Sequence, residues 1–129
     1  MRLLLDTCTA IWLFDEHEEL PPSLVDELVS MDNELFISHV SYIELAIKHS
    51  IGKLHWLQPP SEIVPGLVAR YQIVKLPLNA EVIFRVENLP MHHRDPFDRL
   101  LVAHAMEAGL TLVSPDPLLH PYDTPILWA

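Results

Sequence analysis

Asp95 and Asp98 stand three residues apart in His92-His93-Arg94-Asp95-Pro96-Phe97-Asp98-Arg99-Leu100-Leu101-Val102-Ala103-His104-Ala105, a stretch that also carries a helix-start signal. Asp95 suits an N-cap, and Pro96 suits the first helical position because its missing N–H would be unpaired there anyway; Asp98 falls at the third. The spacing predicts two carboxylates at one helix end. Unpaired N–H groups and the positive pole of the helix dipole tolerate clustered negative charge there. Carboxylates gathered in this way suit hard divalent cations such as Mg²⁺ or Mn²⁺. A cation in such a site can activate water and neutralise a phosphodiester under in-line attack.

Three more acids fit the same chemistry, and each also has a plain structural reading. Asp6 ends the apolar run Arg2-Leu3-Leu4-Leu5, and Asp116 follows the strand-like Leu110-Thr111-Leu112-Val113-Ser114. In open α/β sheets the ligand crevice lies beyond the carboxyl ends of the strands, so these two acids are expected to converge. An unpaired carboxylate at the position of Asp6 would be costly unless hydrogen-bonded or metal-bound. Ser114-Pro115-Asp116-Pro117 also reads as a simple turn. Glu44 opens a helix, but Ser41-x-x-Glu44 is equally a capping box in which Glu44 reaches back to the Ser41 backbone. Asp95 reads as a cap before it reads as a catalyst, and Asp98 also fits a surface acid at the dipole's positive end.

The elements that must place these acids alternate. Strand Arg2–Leu5 is followed by a helix over Thr7–Phe14, with Thr7 able to cap it. A helix over Ser23–Ser30 carries Leu24, Val25, Leu28 and Val29 at helical spacing. Then come strand Leu35–Ser38, a helix from Ser41 to about Ile51 closed by Gly52, and a helix over Ser61–Arg70 in which Pro65 is an awkward guest. Strand Tyr71–Leu76 precedes a helix capped by Asn79 that ends before Pro90. The helix begun at Asp95 stops at Gly109, the Leu110 strand follows, and Ile126-Leu127-Trp128 forms a short last strand. Strands alternating with helices imply a three-layer α/β fold, with a central, mainly parallel sheet flanked by helices.

Residues 1–129 are one domain's worth of chain, enough to bury roughly 65–70% of the unfolded surface in one core. Half the residues are hydrophobic and 20% charged, which argues against disorder. A single cysteine, Cys8, excludes an internal disulfide and any cysteine-pair metal site, and it fits a reducing compartment. With no apolar run of spanning length and no secretory leader, no membrane association is expected and the cytoplasm is the default address. The net charge of −10 ordinarily counts against nucleic acid. A cation bound by carboxylates inverts the local charge and weakens that argument, and an acidic surface also suits a basic protein partner. Among the eight histidines no metal-binding pair stands out; His92 and His93 are adjacent, so their side chains diverge, and both are expected in a surface loop.

These residues and their order resemble the PIN domain, specifically the VapC-like ribonuclease toxins of bacterial toxin–antitoxin systems, over essentially the whole chain. Met1-Arg2-Leu3-Leu4-Leu5-Asp6-Thr7 resembles the family's first acid motif and Val40-Ser41-Tyr42-Ile43-Glu44-Leu45-Ala46-Ile47-Lys48 the second. His93-Arg94-Asp95-Pro96-Phe97-Asp98-Arg99-Leu100-Leu101-Val102-Ala103 resembles the third, which is the most specific, and Leu112-Val113-Ser114-Pro115-Asp116 the fourth. The resemblance implies a PIN-like fold and a Mg²⁺- or Mn²⁺-dependent endoribonuclease acting on RNA. Asp6, Glu44, Asp98 and Asp116 would form the catalytic, metal-binding quartet, with Asp95 an additional nearby acid and Thr7 and Ser114 supporting hydroxyls. It also implies a cognate antitoxin partner and a homodimer. Cys8 is a departure, since relatives often carry histidine there, and it bears on specificity if that position touches substrate. The alternative is a catalytically inactive PIN-like interaction module, motivated by the acidic surface and the capping roles of Glu44 and Asp95. A haloacid-dehalogenase-like phosphatase is disfavoured, because Asp6-Thr7-Cys8 lacks the Asp-x-Asp nucleophile pair.

Overall fold

The five strands form one sheet in the order β3-β2-β1-β4-β5, and every neighbouring pair is parallel. The computed structural model describes residues 1–129. Its strands are β1 Arg2–Leu5, β2 Glu34–Ser38, β3 Val74–Leu76, β4 Thr111–Val113 and β5 Ile126–Leu127. The helices are α1 Thr7–Phe14, α2 Pro22–Val29, α3 His39–Ser50, α4 Pro60–Arg70, α5 Ala80–Arg85 and α6 Pro96–Ala108. Two 3-10 turns, Val86–Asn88 and Pro117–Leu119, complete the chain.

The alternation of side chains along each strand divides the core into two layers. Leu3 and Leu5 point to one face with Leu35, Ile37 and Val113, where they meet Ala10 and Leu13 of α1, Leu24 and Leu28 of α2, and Val64 and Val68 of α4. Leu4, Phe36 and Leu112 point to the other, against Leu101, Val102 and Ala105 of α6. Helix α3 serves both layers, with Leu45 in the first and Val40 in the second. Leu3, Leu4 and Leu5 are fully buried, as expected for a central parallel strand covered on both faces. Burying each leucine contributes about 1.5–3 kcal/mol, so this one strand is a main source of stability.

Chain order reverses at β1: β2 and β3 lie to one side, β4 and β5 to the other. The crevice beyond the carboxyl ends of β1 and β4 is therefore the switch point of the sheet, where α/β folds leave room for a ligand. The Asp6 N–H donates to Val113 O (3.0 Å), so the first residues past the two strands leave the sheet side by side.

Local structure departs from the sequence reading in three places. Asp6, not Thr7, caps α1, because its Oδ1 accepts the Thr9 N–H (2.8 Å) and the Thr7 hydroxyl is engaged elsewhere. Helix α3 starts at His39 with Ser38 as cap, two residues before the expected start, and the capping box from Ser41 to Glu44 is not made. Strand β3 is shorter than Tyr71–Leu76, because Tyr71 closes α4 and Gln72 adopts a left-handed turn (φ 54°). The expected helix over Ser61–Arg70 forms as α4 and runs through the exposed Pro65 without ending. The α6 reading holds in detail: Asp95 caps it, Pro96 follows, and Gly109 closes it at φ 67°, a conformation that favours glycine.

Candidate acidic site

Each of the predicted acids is held by the element that delivers it. Asp6 leaves β1 almost fully buried, and its role as the α1 cap fixes its carboxylate. Glu44 lies in the second turn of α3, also buried; its Oε1 accepts from the Thr7 hydroxyl (2.7 Å). Thr7 Oγ1 is 2.9 Å from Ser41 Oγ. With its one hydrogen given to Glu44, Thr7 accepts from Ser41, and the three side chains form a directed chain, Ser41 to Thr7 to Glu44.

Asp95 Oδ1 accepts the N–H of Phe97 (2.8 Å) and of Asp98 (3.4 Å), and this cap holds Asp98 at the third position of α6. Asp116 caps the 3-10 turn after β4, its Oδ1 accepting from Leu118 N–H (2.9 Å). It is at once the turn residue and the strand-end acid, so the two sequence readings are compatible. The Ser114 hydroxyl accepts the Asp116 N–H (3.2 Å) and also favours the ionised form of Asp6.

The acids feel one another. Burial pushes Asp98 up to about 7, and the negative charge of Asp95, Asp6 and Glu44 adds to it, while His93 opposes. Asp6 is also raised, first by burial and last by Asp116. Glu44 is raised by burial and by Asp95 and Asp6, against the Thr7 hydrogen bond and Lys48. Asp6, Glu44 and Asp98 are thus desolvated within one electrostatic neighbourhood, to which the charges of Asp95 and Asp116 contribute. Cys8 lies half-buried within it: desolvation first, then Asp6, Asp98 and Glu44 push its thiol up to about 11, which keeps it protonated.

His93 is the residue that the sequence reading misplaces. Its Nε2 lies 2.7 Å from Asp116 Oδ2 and 3.2 Å from Asp98 Oδ2, and its Nδ1 accepts the Asp95 N–H (3.0 Å). His93, Asp98 and Asp116 each bring one potential ligand atom within 4.8 Å of the others. The side chains of His92 and His93 do diverge, and that is the signal that was available: His92 packs edge-on against Tyr122, leaving His93 to turn toward the acids. Arg99 was also missed. It is buried, and it donates to the carbonyls of Val86, Leu89, Pro90 and His93 and to the Tyr122 hydroxyl. Tyr122 in turn accepts from His93 N–H (2.9 Å) and donates to Pro90 O (2.8 Å), so the segment bearing His93 is stapled to the body of the domain.

The donor set fits a hard dication: carboxylate oxygens dominate, and the burial and neighbouring negative charge that raise the proton affinity of Asp6, Glu44 and Asp98 would be relieved by a divalent cation. Four surface cavities lie away from these acids. One of about 600 Å³, lined by Leu13, His17, Leu20, Val25 and Tyr71 among others, shares none of these acids.

A three-layer α/β domain with carboxylates gathered at the switch point of a parallel sheet is the class that these observations define. The chain belongs to the PIN domain family, whose sequence pattern it matches over residues 3–123. Solved structures share the fold. A chain of the VapBC2 complex from Rickettsia felis, bound to a DNA fragment from its promoter, is 17% identical with a TM-score of 0.74, and 98% of each chain is covered. A chain of DNA-bound VapBC from Salmonella typhimurium is 18% identical with a TM-score of 0.70, covering 98% of this chain and 97% of that one. VapBC-1 from nontypeable Haemophilus influenzae gives 19% identity and a TM-score of 0.63 over 98% and 97%. A comparison with curated proteins gives no match. No helix is long and apolar enough to cross a membrane.

Proposed function

We propose that this PIN domain is a metal-dependent endoribonuclease and the toxin half of a toxin–antitoxin pair, with Asp6, Glu44, Asp98 and Asp116 holding Mg²⁺ or Mn²⁺ and Asp95 adjoining them. The observation that carries this reading is the burial of mutually repelling carboxylates at the switch point, with Asp98 raised to about 7. Such a cluster costs the folded chain free energy unless a cation enters it. When bound, the ion supplies the positive charge that acidifies water and neutralises a phosphodiester.

The chain's own part is preorganisation. Thr9 N–H fixes the Asp6 carboxylate, Thr7 fixes Glu44, and Leu118 N–H fixes Asp116, so the acids need little rearrangement when substrate arrives. Thr7 and Ser114 act as supporting hydroxyls, and Cys8 lies within the field of the acids as a neutral neighbour. An RNA backbone fits the chemistry because its phosphates bring the negative charge that a cation-filled acid crevice attracts.

A cognate antitoxin is the proposed protein partner and a homodimer the proposed assembly. The antitoxin is supported by the shared fold with chains of VapBC complexes and by the net charge of −10, which suits a basic partner. Titration with Mn²⁺ tests the metal reading: the protein should bind it, and Asp6→Asn should abolish binding without unfolding the domain. Unchanged binding by a folded Asp6→Asn protein would remove Asp6 from the site.

A further inference from the structure

We infer that His93 is a positioning residue for the acidic site, a fixed hydrogen-bond donor that holds the Asp116 carboxylate beside Asp98, and not a ligand to the ion. The inference rests on the metal reading above for what the site holds, but its core concerns which ring nitrogen of His93 carries hydrogen.

The distances alone suggest the opposite. His93 Nε2, Asp98 and Asp116 gather as a metal-binding trio does. A histidine ligand must present a bare nitrogen to the ion, with its hydrogen on the other nitrogen, usually given to a carbonyl or carboxylate. Here the arrangement is reversed. Nδ1 receives the backbone N–H of Asp95 at 3.0 Å, so Nδ1 is an acceptor and carries no hydrogen. The hydrogen is therefore on Nε2, which faces Asp116 Oδ2 at 2.7 Å with Asp98 Oδ2 at 3.2 Å. To bind an ion through Nε2 the ring would have to move its hydrogen to Nδ1, where it would confront the Asp95 N–H.

The backbone donor cannot easily be reoriented. Asp95 is the α6 cap, and its side chain is engaged with Phe97 and Asp98. Residues leading into it are anchored by Arg99, through the carbonyls of Leu89, Pro90 and His93, and by Tyr122, through the His93 N–H. The His93 side chain is 12% exposed, so water is a poor substitute for either of its partners. Asp116 itself sits on a short 3-10 turn and not on a long helix. A donor from the stapled segment ties it to α6, which carries Asp98.

Long-range proton–nitrogen NMR of the histidine rings tests this in the full chain, with His93→Gln identifying the His93 signals. The Nε2–H form is expected in metal-free protein and should persist when Mg²⁺ alone is added. An Nδ1–H form, or loss of the Nε2 hydrogen on adding Mg²⁺, would overturn the inference. If Mg²⁺ does not bind at all, the metal reading fails, while the metal-free spectrum still decides whether His93 is a donor. Calorimetry with Mg²⁺ and Co²⁺ provides a second readout. Removing an orienting partner of a metal ligand typically costs about 10–100-fold in affinity, so His93→Ala should weaken both ions by a similar factor, and His93→Gln, which keeps an N–H donor, should recover much of it. Selective loss of Co²⁺, the ion that prefers imidazole nitrogen, would identify His93 as a ligand.

Discussion

The Thr7 hydroxyl donates to Glu44 Oε1 across 2.7 Å, joining the residue after Asp6 to the second turn of α3. This bond replaces the capping box that Glu44 would otherwise make with Ser41, and it leaves the other Glu44 oxygen for a ligand. Thr7→Val keeps the shape and removes the donor. Loss of a hydrogen bond to a buried charged group costs about 1–3 kcal/mol, which urea unfolding should show. Mn²⁺ affinity should fall as well, and Thr7→Ser should restore both.

Asp98→Asn should stabilise the metal-free protein as pH rises. The Asp98 carboxyl is raised from 3.8 to about 7 in the folded state, so its contribution to stability is complete below 3.8 and is lost as pH climbs through about 7. Asp6 and Glu44 shift in the same direction. The advantage of Asp98→Asn over wild type should grow between about pH 5 and about pH 8, to roughly 2 kcal/mol once partial solvent access is allowed for. Unfolding measured in EDTA at the two pH values checks this, and a gap that shrinks with rising pH would contradict it.

His104 has the opposite sign. Burial and the nearby His39 lower it from 6.5, and its Nδ1 lies 2.8 Å from Ser38 Oγ, which also accepts the Val40 N–H. The folded state favours the neutral ring, so its contribution to stability is present above 6.5 and is lost as pH falls below that value. His104→Asn should flatten the acid side of the stability profile, as unfolding curves at falling pH will show.

Cys8 reports on the site without RNA. Its thiol is raised to about 11 by burial and by the charges of Asp6, Asp98 and Glu44. Iodoacetamide should react slowly in EDTA and faster with saturating Mg²⁺, because a bound cation cancels those charges. The same addition should stabilise the fold by about 2.7 kcal/mol at a hundred times the dissociation constant.

The parts of the site that follow from local rules were legible in the sequence. Asp95, Pro96 and Gly109 carry the α6 boundaries in their own conformational preferences, and apolar runs ending in Asp6 and Asp116 mark strands whose carboxyl ends face a crevice. The parts that depend on distant partners were not. Ser41-x-x-Glu44 satisfies the capping pattern, yet Ser38 caps three residues earlier, and Thr7, 37 residues away from Glu44, takes the side chain. His93 meets Asp116 over 23 residues, a contact made on a segment that Arg99 and Tyr122 staple to the domain.

The most direct test of the account is RNA cleavage by antitoxin-free protein. Wild type and Asp98→Asn, both shown to be folded, are incubated with total bacterial RNA in Mn²⁺ or EDTA, and new ends are mapped by sequencing. The account predicts discrete cuts from wild type with Mn²⁺ and none from Asp98→Asn or in EDTA. Cuts of equal yield from Asp98→Asn, or no cuts from wild type that binds Mn²⁺, would contradict it; the second result would favour a PIN domain that binds partners without catalysis.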